Sequence, residues 1–137
     1  MNPQQVAEYM LGQDYFSQWM NISLIEVKEN YCLIEMPIKK EMINGLKTVH
    51  GGVTFAFADS ALAFSSNNSG DAAVALNCVI NFTKAGKEGD LFRAESVLVN
   101  ETRKTAIYDI KITNQNNDLV AKFVGTVYKI GKKITEL

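Results

Sequence analysis

Asp59 stands inside an otherwise apolar run, Val53 to Phe64, nine residues after His50 and just downstream of the pair Gly51-Gly52. Each of these residue types has a chemistry. A carboxylate held among apolar side chains is costly to desolvate, so it is paired, protonated or at work as a base or nucleophile. Glycines at a helix entrance let a ligand approach the backbone, where free N–H groups and the positive end of the helix dipole can polarise a carbonyl oxygen. His50 is the only histidine in the chain. The same residues also have purely structural uses. Asp59 could cap a turn or meet a lysine, the glycines could make a tight loop-to-helix turn, and His50 could serve as a hydrogen-bonding side chain.

Other chemistries are not supported. One histidine cannot build a metal cluster, and Cys32 and Cys78 lack metal-ligand spacing to it, so no metal site is expected. No G-x-S-x-G elbow, P-loop or dinucleotide fingerprint occurs, and no cofactor is implied. A net charge of −1 without a basic run argues against nucleic acid, and Lys132-Lys133 reads as a solvated tail. Both cysteines lie in apolar stretches, which predicts buried free thiols. The run Val53–Phe64 is too short to span a bilayer and carries a charge. Asn2-Pro3 reads as a helix start rather than a leader. These features predict a cytoplasmic chain, and 137 residues predict one domain over 1–137.

The elements that must position Asp59 and the glycines follow from periodicity. Residues 3–11 read as a helix stopped by Gly12, with another turn or two over 14–20. Residues 22–27 and 31–38 read as strands joined at Glu29-Asn30, and 39–49 as a loop around the turn dipeptide Asn44-Gly45. The stretch from Gly51 is apolar nearly all round, which predicts an enclosed helix, broken over 65–70. Strands are expected at 73–82, 91–100, 105–113 and 119–130. The third alternates cleanly, with Ala106, Tyr108, Ile110 and Ile112 on one face. Three long strands with short turns make an antiparallel meander, and one buried helix needs a sheet to wrap it. The predicted class is α+β, a curved antiparallel sheet around a central helix.

Asn44-Gly45, His50-Gly51-Gly52 and Ala58-Asp59-Ser60-Ala61 together resemble the hotdog-fold acyl-CoA thioesterases of the phenylacetate-pathway type. In that family the Asn lies six positions before the His and the Asp nine after it, as they do here. The likeness continues through Ala73-Val74-Ala75, Ile80-Asn81-Phe82, Gly89-Asp90, Arg103-Lys104-Thr105, Tyr108-Asp109 and Gly125-Thr126. It implies a hotdog fold and hydrolysis of an aryl- or medium-chain acyl-CoA. Under it, Asp59 is the nucleophile or general base and the Gly51 N–H polarises the thioester carbonyl. His50, Asn44 and Gly52 hold that loop or the thioester, and Arg103, Lys104 and Thr105 lie near the CoA moiety. Many relatives carry Pro-Ala before the Gly-Asp turn. This chain has Ala85-Gly86, which predicts a looser loop there.

A helix rises about 1.5 Å per residue, so Gly51 and Asp59 are about 12 Å apart along one axis. Reacting atoms must approach to roughly 3–3.5 Å. If both groups act on one thioester, they come from different subunits, and the working unit is at least a homodimer. The resemblance extends this to a homotetramer. Two other functions fit the same pattern: a non-catalytic acyl-CoA-binding module, which has no need of Asp59, and a hydratase or dehydratase, which wants a carboxylate and a histidine working together.

Overall fold

The computed structural model describes residues 1–137. Helix α1, Pro3–Leu11, opens with a capping box: Gln5 N–H donates to Asn2 Oδ1 at 2.8 Å, and Asn2 N–H donates to Gln5 Oε1 at 2.9 Å. A short helix α2, Tyr15–Trp19, is capped by Asp14. Strands β1, Ser23–Lys28, and β2, Tyr31–Pro37, form a hairpin whose turn residue Asn30 has a φ of 57°. Helix α3, Gly51–Ser66, follows, then β3, Asp71–Phe82, β4, Leu91–Glu101, β5, Thr105–Thr113, and β6, Leu119–Lys133.

The six strands make one antiparallel sheet in the order β1-β2-β4-β5-β6-β3. The β4-β5-β6 meander is as expected. The chain returns from α3 to the far side of the sheet, so β3 pairs only with β6 and its other edge is free. Helix α3 packs across β2 to β6. Phe57, Leu62 and Phe64 on the helix join Ile34, Phe92, Ile110 and Phe123 on the strands in one core. Each such side chain gains about 1.5–3 kcal/mol on burial, which fixes the helix rotation. On β5, Ala106, Tyr108, Ile110 and Ile112 face this core, and outward-facing Asp109 pairs with Lys122 of β6 at 2.7 Å. The hotdog arrangement is therefore present, with the sheet curved around α3.

Three expectations are corrected. Lys132 and Lys133 belong to β6 rather than a tail, because the chain end is held by a small cluster of Val6, Ala72 and Ile134, and Lys133 Nζ pairs with Asp71 at 2.5 Å. Cys32 is buried, but Cys78 is half-buried, since it lies on the edge strand β3. Nor is α3 enclosed by its own chain. Gly52 and Asp59 are exposed, and Phe55, Ala56, Ala63 and Ser66 are half-buried, which together trace one stripe at helical spacing. That stripe runs beside β3, where Val74, Leu76, Val79 and Phe82 are 50–65% exposed.

Candidate active site

The entrance to α3 is assembled by short-range bonds. Asn44 Oδ1 accepts from Leu46 N–H at 2.9 Å and Thr48 N–H at 3.1 Å, which closes the turn that sends the chain back toward the helix. His50 N–H then donates to Met42 O at 2.8 Å. His50 is the N-cap of α3, and its Nδ1 accepts from Gly52 N–H at 2.9 Å. A neutral ring therefore carries its proton on Nε2. The need for glycine at 52 is steric: a Cβ there would lie 3.0 Å from His50 Nδ1. Val53 N–H donates to His50 O at 2.9 Å, as does Thr54 N–H at 3.3 Å. Of the first-turn donors, the Gly51 N–H alone has no acceptor in the chain.

Gly51 lines a cavity of about 380 Å³ with Thr48, Thr54, Phe82, Gly86 and Val120 among its other walls. The Phe82 ring lies over Gly51, since a Cβ on that glycine would be 3.2 Å from the ring. The 84–90 loop that forms one wall is not loose. Val49 N–H donates to Gly86 O at 2.9 Å, and a Cβ on Gly86 would come within 2.5 Å of Phe92 Cζ. Gly86 is thus what lets the loop press onto the core, and Asp90 closes it. The Asp90 carboxylate is buried and accepts from Lys87 N–H at 3.0 Å and Gln115 Nε2 at 2.9 Å. Burial alone would raise its pKa. The bonds from Gln115 and Lys87 outweigh that and hold it below the ordinary value.

Asp59 lines a second cavity, about 230 Å³, with Leu62, Ala63, Ala73, Val74 and Val127. Its pKa is raised, first by desolvation among these apolar neighbours and then by the charge of Asp14. Asp14 is brought there by a chain of hydroxyls that sequence reading missed. Ser60 and Ser17 are buried with their Oγ atoms 2.8 Å apart, and Ser17 Oγ donates to Asp14 Oδ2 at 2.5 Å. The signal available was the hydroxyl of Ser60 beside Asp59 in an apolar helix.

Within one chain, then, the structure brings together Asn44, His50, Gly51 and Gly52 but leaves Asp59 eight residues further along the same helix, on a different cavity. Arg103 and Lys104 are exposed at the β4–β5 turn, and Thr105 begins β5. Thr105 is in register with Tyr128, and Tyr128 with Val74, which lines the Asp59 cavity. These three residues belong to the Asp59 end of the sheet, not to the Gly51 end.

Residues 46–121 match the thioesterase superfamily. The chain is 36% identical to the Escherichia coli acyl-coenzyme A thioesterase PaaI over 96% of its own length and 94% of that protein's. The structure of the E. coli PaaI protein from the phenylacetic acid degradation operon superimposes with a TM-score of 0.94 at 34% identity, covering 96% of this chain and 95% of the other. A Streptococcus mutans protein bound to acetyl CoA matches with a TM-score of 0.79 at 28% identity, over 82% of this chain and 90% of that one. A helix entrance with one unspent amide, a carboxylate two turns on that borders an apolar cavity, and a sheet that superimposes this closely have one common explanation: the chain belongs to the thioesterase superfamily and is a thioester hydrolase of hotdog fold.

Proposed function

We propose that the protein hydrolyses aryl- or medium-chain acyl-CoA thioesters to the free acid and CoA. Two copies of residues 1–137, each acting as one unit, would share every site. The observation that carries this reading is the split of the reactive groups along α3. The free Gly51 N–H and the Asp59 carboxylate lie about 12 Å apart on one axis and face separate cavities. A second α3 laid antiparallel along the exposed stripe sets the Asp59 of one subunit opposite the Gly51 of the other. The apolar free edge of β3 supports such a partner, since a twelve-residue edge strand with one side unpaired and Val74 and Leu76 exposed invites pairing. On the outer face of the sheet, Val97 and Val124 are exposed where a second dimer would pack to give a homotetramer.

In the shared site, the thioester oxygen accepts from the Gly51 N–H at the positive end of the helix. His50 keeps that amide in place by capping, and Asn44 does so by shaping the turn before it. Asp59, its pKa raised by desolvation and by the charge of Asp14, either takes a proton from the attacking water or attacks the carbonyl carbon itself. The carbon–sulfur bond then breaks, and on the second route water hydrolyses the aspartyl anhydride that remains, giving the free acid and restoring the carboxylate. A thiol with a pKa near 8.5 leaves as the thiolate without a dedicated acid. The apolar walls beside Asp59 suit the acyl group, and Arg103, Lys104 and Thr105 at the same end of the sheet suit the phosphates and pantetheine of CoA. The E. coli relative, named as an acyl-CoA thioesterase from a phenylacetic acid operon, supports the substrate class.

Thiol release from a panel of acyl-CoA esters tests the reading. Turnover by the wild type and its loss in a folded Asp59→Asn variant are expected. Binding without turnover by the wild type would overturn it. A single turnover in ¹⁸O water separates the two roles of Asp59. Unlabelled first product, with the label left on Asp59, marks attack by the carboxylate, while labelled product with no trappable aspartyl anhydride marks a general base.

A further inference from the structure

The cavity beside Gly51 has four polar side chains in its walls, and three of them are already spent. Thr83 Oγ1 donates to Leu119 O at 2.7 Å, Lys84 Nζ to Asp118 Oδ2 at 2.7 Å, and Thr48 Oγ1 to Asn44 Oδ1 at 3.3 Å. Thr54 is the fourth. Its residue is only 3% exposed, yet its hydroxyl bonds to nothing in the chain. A threonine inside a helix ordinarily returns its hydroxyl to the carbonyl four residues back. Here that carbonyl is His50 O, which already accepts from both Val53 N–H at 2.9 Å and Thr54 N–H at 3.3 Å. The usual acceptor is saturated by the helix start, and the hydroxyl is left facing the cavity.

Position on the helix decides what it faces. Thr54 comes three residues after Gly51, less than one turn on. Side chains on a helix lean toward its N-terminus, so a group at this position covers the turn that holds Gly51. The two donors without a partner at this end of α3, one amide N–H and one hydroxyl, therefore open on the same space. The residue is buried but its hydroxyl opens on the cavity, where it is free to donate, and a developing negative oxygen is the acceptor that suits it best.

We propose that the Thr54 hydroxyl is a second donor to the thioester carbonyl oxygen, alongside the Gly51 N–H, and so a catalytic residue. The assignment rests on the acyl-CoA reading above and adds to it a donor that an apolar helix conceals. The charge that grows on the oxygen as the carbonyl carbon is attacked is divided between the two donors and released when the carbon–sulfur bond breaks.

Thr54→Val keeps the shape and removes the hydroxyl. It is expected to lower kcat about 10- to 100-fold with KM changed less than about 3-fold, because the bond strengthens at the transition state. Thr54→Ser is expected to keep kcat within about 3-fold of wild type. Two CoA probes separate donation from packing: a ketone analogue that keeps the carbonyl oxygen, and an alkyl thioether that lacks it. Thr54→Val should weaken the ketone about 10-fold and the thioether less than about 2-fold. If the valine chain fails to fold, Thr54→Ala read against Thr54→Ser makes the same comparison. A valine or alanine variant with wild-type kcat, or one that weakens both probes equally, overturns the assignment of Thr54 while leaving the hydrolase intact. A wild type that cleaves no ester and binds neither probe overturns the acyl-CoA reading itself.

Discussion

The entrance of α3 and its midpoint sit on one helix and are made in opposite ways. At the entrance, every neighbour that holds Gly51 comes from the same chain: the Asn44 turn, the His50 cap, the Gly86 contact and the Asp90 latch. At the midpoint, Asp59 stands on a stripe that the chain leaves uncovered, with desolvation and Asp14 both working against its charge. Oriented amides can be finished by local turn chemistry, because a donor that does not move needs only a rigid loop. A carboxylate raised in free energy needs apolar walls, which here are Leu62, Ala73, Val74 and Val127, and in the proposed dimer a second subunit completes them. The entrance is built for stability and the midpoint for reactivity.

Substitution at the midpoint should have the largest effect on activity. Asp59→Asn is expected to cost about 10³-fold or more in kcat without unfolding the chain. The entrance can be broken separately by Gly52→Val, whose Cβ meets His50 Nδ1 at 3.0 Å and unseats the cap. Each variant alone is then inactive for a different reason. Mixed and reassembled in equal amounts, they should recover about a quarter of wild-type activity, since half the dimers are mixed and each has one intact site. Confirmed mixed dimers with no activity would join the two regions into a single-chain function and remove the contrast.

The entrance should instead show its effects in stability. Asp90→Ala leaves Lys87 N–H and Gln115 without their acceptor at a buried site, which is expected to cost about 2–4 kcal/mol in denaturant unfolding. The pKa of Asp90 is depressed in the fold. Its contribution is therefore fully present above the ordinary carboxylate value and is lost as pH falls through the lower one. The gap between wild type and variant should close in acid. An alanine variant as stable as wild type at neutral pH would mean that the loop is not latched there.

Gly86→Ala is the next step down. Its Cβ would lie 2.5 Å from Phe92 Cζ and 2.8 Å from Val49 Cγ2, an overpacking worth about 1–3 kcal/mol. Gly45, with nothing within 4 Å, is the control, and alanine there should change stability by less than about 0.5 kcal/mol. Equal effects at the two glycines would show that the 84–90 wall yields, and that the entrance is less rigid than its contacts imply.

The same division governs what could be read from the sequence. The entrance was legible because its parts are neighbours in the chain: Asn44-Gly45 as a turn, His50-Gly51-Gly52 as a helix start and Asp59 at fixed spacing. The alternation of Thr105–Thr113 placed β5 for the same local reason. What depended on distant residues was not legible. Gly86 suggested a loose loop because the Phe92 ring that demands glycine comes from another element. Thr54 carries no signal in the sequence, since nothing local says that His50 O is saturated. The open stripe looked like core because apolar side chains left uncovered and apolar side chains packed under a sheet have the same composition. Ser17 and Ser60 meet only after α2 folds over α3, across 43 positions of sequence.

The smallest effect tests the midpoint from the side of stability. The pKa of Asp59 is raised from 3.8, so the folded chain holds its proton at pH values where the unfolded chain has lost it. Stability should therefore decline as pH rises from the ordinary value through the raised one, and stay lower at neutral pH. Asp59→Asn has no such proton to lose. It should flatten this part of the profile and raise Tm at pH 7 by about 1–3 °C while abolishing turnover. The gain should widen with protein concentration, because a partner helix laid on the stripe desolvates the carboxylate further and couples its charge to association. An asparagine variant less stable than wild type at pH 7 would mean that Asp59 is paired rather than stranded. A gain independent of concentration would mean that the partner does not lie on this stripe.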